Sequence, residues 1–140
     1  MWFISQAIFK KLLKNIPRKP LTNIDLLKYV KLLQIPYFRG IFMRNELPKK
    51  INNIEYGIIN LDDSKGEGSH WTAYVKKGKM IKYFDSFGNL RPPMELISYF
   101  YSDGKNNLVK YNHNRYQKYD KTNCGQLCLQ FLYKNIKHHI

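Results

Sequence analysis

"GEGSHWTAYVKKGKMIKYFDSFG", residues 66–88, decides how the rest of the chain is read. Two runs of alternating apolar and polar residues flank Lys77-Gly78-Lys79, which is the pattern of a β-hairpin preceded by a flexible Gly-Ser approach. Folding about that turn carries His70, at the start of the first strand, and Asp85, at the end of the second, to the same open end. Their proximity follows from register alone. Taken singly, a histidine on a strand is more often structural or solvated, and an aspartate before Ser-Phe-Gly more often serves a turn.

Upstream, "EYGIINLD" (55–62) is a short β-like run, and "YFRGIFMRNELPKK" (37–50) reads as a loop punctuated by Gly and Pro. "KPLTNIDLLKYVKLLQIP" (19–36) predicts a helix capped by Thr22 or Asn23, favoured by Asp25 in its first turn and closed by Pro36. The N-terminal "MWFISQAIFKKLLKNIPRKP" spaces Phe3, Ile4, Ala7, Ile8, Leu12 and Ile16 at helical intervals with lysines between them. Its charges follow the apolar residues and no small-residue cleavage site appears, unlike a signal peptide. It reads as a basic amphipathic helix, for a membrane or partner, with packing on the domain the favoured reading. Downstream, Pro92 and Pro93 start a helix through Met94 to Tyr101, and "NNLVKYN" supplies another strand. Helices, then strands, then a helix predict an α+β fold around a small antiparallel or mixed sheet.

The last helix, "NCGQLCLQFLYKNI" (123–136), begins with a thiol. Cys124 can be a core residue, a disulfide or metal partner, or a nucleophile. A helix N-terminus favours the thiolate, because free N–H groups and the aligned peptide dipoles carry partial positive charge. A histidine can take the proton, a carboxylate can orient that histidine, and an amide can stabilise the developing oxyanion. His70, Asp85 and Gln117 supply those groups, and the Cys124 backbone N–H is a second donor. Trp71, beside His70, is read both as a core aromatic and as a shield for the imidazole. Cys128, one turn on, reads as packing. Cys124, Cys128, His138 and His139 match no common zinc spacing, and metal is rejected.

The chain has 140 residues, of which 44% are hydrophobic, so it suits one globular domain rather than a disordered segment. No apolar run reaches the length of a membrane span, and two thiols four residues apart make a poor disulfide framework. The 24 Lys and Arg exceed the 10 Asp and Glu to leave a formal charge of +14. That field favours polyanions; a lysine-rich codon bias is an equal explanation. Lys10, Lys11, Lys14, Arg18 and Lys19, and on the hairpin Lys76, Lys77, Lys79 and Lys82, form two clusters able to contact phosphates without reading bases, with a solvated face the default reading.

"GSHW" (68–71), "YFDSFG" (83–88) and Gln117 followed after six residues by Cys124-Gly125 together resemble the adenovirus endopeptidase (adenain) family and, more broadly, the SUMO- and ubiquitin-like-protein proteases. With "GIINLD" (57–62), the string from Gly57 to Leu132 looks closest to the proteases of Polinton/Maverick elements and adintoviruses. The resemblance implies a papain-like cysteine protease fold, with His70 as general base, Asp85 as its orienter, Cys124 as nucleophile and Gln117 in the oxyanion hole. It divides a single 1–140 domain into a basic amphipathic segment (1–20), a helix and groove-wall loop (21–50) and a catalytic core (51–140). Asp85 matches the SUMO-protease branch where adenain has Glu, and no cysteine lies between Asp85 and Gln117 to anchor an activating peptide as in adenain.

The same resemblance implies a monomeric endopeptidase that cleaves viral capsid or core precursors after Gly-containing motifs during virion maturation. It would act in the virion and the host nucleus or cytoplasm, and would not be secreted. It would need no chemical cofactor, with DNA or a peptide as activator. Two alternatives stand beside it. One is a deubiquitinase or deSUMOylase, whose substrates also end in Gly-Gly. The other is a non-catalytic nucleic-acid- or membrane-binding protein.

Overall fold

A computed structural model describes residues 6–62, 70–116 and 123–136. Its elements run α1 (Gln6–Asn15), α2 (Asn23–Leu32), β1 (Phe38–Met43), β2 (Ile54–Asn60), β3 (Trp71–Lys77), β4 (Met80–Phe84), α3 (Met94–Phe100), β5 (Leu108–Tyr111) and α4 (Cys124–Ile136). The five strands form one mixed sheet in sequence order. The β2–β3 and β3–β4 pairs are antiparallel, while the outer pairs β1–β2 and β4–β5 are parallel.

The hairpin forms at the expected turn. Gly78, at φ +62°, takes the left-handed conformation there, and Lys77 pairs with Met80. The alternation does not mean one wet face, however. Ala73 and Val75 face α2 and α4 on one side, and Tyr74 and Ile81 face α3 on the other. β3 is therefore buried on both faces through Lys76. Leu129 and Leu132 of α4 are completely buried against this sheet, each worth about 1.5–3 kcal/mol of apolar transfer.

Thr22, not Asn23, caps α2. Its hydroxyl accepts the Asp25 N–H at 3.1 Å and the Asp25 carboxylate accepts the Thr22 N–H at 3.0 Å, closing a capping box. The helix stops before Pro36 because Gln34 turns to φ 55°. Just after α1, Ile16 is buried, and Leu12 within the helix packs on the same core, while Ala7 is exposed. Leu12 ties the helix to the core. No helix among the described residues is long and apolar enough to cross a membrane.

One expectation is corrected. Residues 38–43, read as part of a groove-wall loop, form the edge strand β1 along β2. Gly40 sits at φ +152° where the register shifts between Phe38 and Gly40. The glycine that suggested a loop marks a bulge within a strand instead.

Candidate active site

His70 immediately precedes β3 and Asp85 immediately follows β4, and the antiparallel pairing places them side by side. His70 Nε2 lies 2.8 Å from Asp85 Oδ1, to which it donates. The same oxygen accepts the Phe87 N–H at 3.0 Å, so the carboxylate is fixed from two directions. The Phe87 ring lies flat on the imidazole, with centroids 4.3 Å apart and planes 4° from parallel.

Asp85 is held in turn by Asn112, just beyond β5. The Asp85 N–H donates to Asn112 Oδ1 at 2.9 Å, and Asn112 Nδ2 donates to the Asp85 carbonyl at 2.7 Å. Two further backbone bonds, Asn89 N–H to the Asn112 carbonyl (2.9 Å) and Tyr116 N–H to the Ser86 carbonyl (2.8 Å), bind residues 85–89 to residues 112–116. Gly88, at φ +80°, lies so close to that segment that an added Cβ would stand 2.5 Å from the Asn114 carbonyl oxygen.

Cys124, the first residue of α4, brings its thiol to the same place. The Trp71 backbone N–H lies 3.5 Å from Cys124 Sγ and donates to it. Burial alone would raise this thiol, but the hydrogen bond from His70, the Trp71 N–H, the imidazolium charge and the Gly125 N–H outweigh it and hold the thiol below its ordinary value. For His70, burial pulls the other way from its partners. Hydrogen bonds and charge from Asp85 and Cys124 prevail and push it up to about 9. With Nε2 on Asp85, Nδ1 is the ring nitrogen left for the thiol. The arrangement favours a thiolate–imidazolium pair backed by a carboxylate.

Gln117 lies outside the described residues. Trp71 stands next to His70 in sequence but does not stack on it. Its indole is buried in the core, and its Nε1 donates to the Leu21 carbonyl at 2.9 Å; the ring on the imidazole is that of Phe87. Cys128 is fully buried, and burial pushes its thiol well up. Phe87 and Asn112 went unread in the sequence. Phe87 sits inside "YFDSFG", two residues after the carboxylate, where an aromatic was a usable signal; a single Asn after a strand carries none.

The hairpin lysines are corrected in part: Lys79 and Lys82 are exposed, but Lys76 and Lys77 turn inward. Lys76 is completely buried and pairs with Asp103 at 3.1 Å. Lys77 Nζ donates to the Asn135 carbonyl at 2.6 Å, and Lys82 Nζ lies 3.5 Å from Asn135 Oδ1. These cations serve the interior and the last turn of α4, where exposed carbonyls attract positive charge.

The chain is similar in structure to the SUMO protease Ulp1 with its catalytic cysteine oxidised to a sulfinic acid, at a TM-score of 0.54 and 19% identity over 96% of this chain and 73% of that one. The sulfenic acid form of Ulp1 gives 0.53 and 17%, covering 89% and 71%. The ASFV pS273R protease gives 0.52 and 18% over 86% of this chain, which spans 60% of that protease's length. No family model and no curated protein sequence matches the chain. The likeness is one of fold: α+β, of the SUMO-protease-like cysteine protease type, with Cys124 opening the C-terminal helix.

Proposed function

We propose that the protein is a cysteine endopeptidase in which Cys124 is the nucleophile, His70 the general acid and base, and Asp85 the group that orients His70. The observation that carries this reading is the convergence of His70, held at 2.8 Å by Asp85, on a thiol at a helix start. The Cys124 thiolate attacks a peptide carbonyl carbon, and the carbonyl π electrons move onto oxygen. The oxyanion meets the Cys124 backbone N–H, with the Gln117 amide as second donor. Collapse of the intermediate expels the amine, which takes a proton from His70, and leaves a thioester. His70 then removes a proton from water, which attacks the thioester and releases the acid.

The finer reading is a protease of the adenain and Polinton type. Its substrates would be viral structural precursors cut at Gly-containing sites, with DNA or a peptide as activator. Its support is the joint order of "GSHW", "YFDSFG" and Gln117 to Cys124-Gly125. Likeness to Ulp1, a SUMO protease, favours a second reading, removal of ubiquitin-like tails. Preference for a folded ubiquitin-like protein over short Gly-Gly peptides would select it.

The test is labelling by a Gly-Gly peptide bearing a thiol-reactive electrophile, read by intact mass with and without DNA. One adduct on Cys124 is expected in wild type and in Cys128→Ala, with none in Cys124→Ala and a much slower reaction in His70→Ala. Labelling of folded Cys124→Ala at the wild-type rate would overturn the assignment.

A further inference from the structure

At the far end of the sheet from Cys124, about 20 Å away along β3, the loop before β2, β1 and the turn after α3 enclose a recess of about 540 Å³. Arg39, Lys49, Lys50 and Lys105 line it, with Asp103 as the one carboxylate. We propose that this recess is a binding site for a compact, multiply charged phosphate compound, separate from the peptidase site and independent of the reading above.

Among the described residues, Glu55 and Asp103 are the carboxylates bonded to cations at this end, and each is already engaged. Glu55, completely buried, accepts Arg39 NH1 and the Asn52 N–H, both at 3.0 Å, through one oxygen, and the Tyr74 and Tyr99 hydroxyls through the other. Asp103 pairs with the buried Lys76 through Oδ2, and its Oδ1 accepts the Lys105 N–H and Asn107 Nδ2. Lys49, Lys50 and Lys105 are exposed and have no ion-pair partner among the described residues. Three uncompensated ammonium groups therefore surround a concave space, with a guanidinium in its wall fixed by Glu55. Only one of the five guanidinium donors of Arg39 is occupied by that carboxylate.

Shape selects the ligand. The volume falls in the range of small-molecule sites. A nucleic-acid strand presents its phosphates strung along an axis, whereas these cations converge on one recess. Converging ammonium donors and a planar guanidinium suit several phosphate groups on one small molecule.

The experiment is isothermal titration of the full chain with inorganic triphosphate at physiological ionic strength, with inorganic phosphate and a short single-stranded oligonucleotide as parallel arms. Triphosphate should bind one to one and raise the thermal midpoint, and phosphate should bind more weakly. The triple variant Lys49→Gln/Lys50→Gln/Lys105→Gln should lose at least tenfold in affinity. Lys10→Gln/Lys11→Gln/Lys14→Gln, which removes the same charge from α1, should lose less than twofold, and Cys124 labelling should be unchanged in both. Equal losses in the two triple variants would mean a diffuse field and overturn the site. So would absence of one-to-one binding, or an oligonucleotide that binds as tightly and competes with triphosphate.

Discussion

At Cys124 two forces oppose each other over one proton. Burial favours the neutral thiol, and the hydrogen bonds from His70 and the Trp71 N–H favour the anion; the second set prevails. At His70 burial favours the neutral ring, while Asp85 and Cys124 hold it protonated up to about 9. The active form is then the ion pair, and its two apparent titrations belong to the pair. The sign follows for kcat/KM against pH. Activity rises as the thiol ionises, below the ordinary thiol range, and falls near pH 9 as the imidazolium loses the proton that the leaving amine requires. Asp85→Asn removes the charge that holds this proton, so the alkaline limb should move down toward the ordinary imidazole value of about 6.5. The rate should drop roughly 10²–10⁴-fold. An unmoved alkaline limb would mean that Asp85 does not act on His70.

Among the elements, the loop after β4 matters most, because the orientation of Asp85 depends on its attachment to residues 112–116. Asn112→Ala removes both bonds to the Asp85 backbone. A displacement of about 1 Å in a catalytic group costs on the order of 10²-fold, so kcat should fall by roughly 10- to 100-fold. The alkaline limb should shift down with it while Cys124 is still present and the fold intact. A merely structural loss would lower the midpoint of unfolding and leave the pH profile in place. Such couplings mark the limit of what the sequence discloses. The hairpin was legible because its turn, its alternation and the placement of His70 opposite Asp85 are all local. The start of α2 was legible for the same reason, although the choice between Thr22 and Asn23 as its cap was not. β1 was not, since its strand character comes from parallel pairing to β2 across an intervening segment, and Gly40 within it imitates a loop. Asn112 was not, because it meets Asp85 only through the 27-residue separation that the fold closes. Lys76 and Lys77 were misread because a composition does not say which charges fold inward.

For the whole molecule, fourteen excess positive charges act on one small fold. The buried pairs Arg39–Glu55 and Lys76–Asp103 are local and weakly screened, since one member of each is sealed from solvent. Exposed lysines, such as Lys10, Lys11 and Lys14 on α1, repel one another through water. Raising sodium chloride from about 0.01 M to about 0.15 M shortens the screening length from about 30 Å to about 8 Å. Repulsion across the surface then weakens while the buried pairs keep their strength, so the thermal midpoint should rise. Lys10→Gln/Lys11→Gln/Lys14→Gln removes three of the excess charges, so it should start from a higher midpoint at low salt and gain less from added salt. A midpoint that falls with salt would mean that attractive surface pairs, such as Arg44–Glu95 at 3.6 Å, outweigh the net repulsion. The positive field would then be a consequence of composition with no measurable load on the fold.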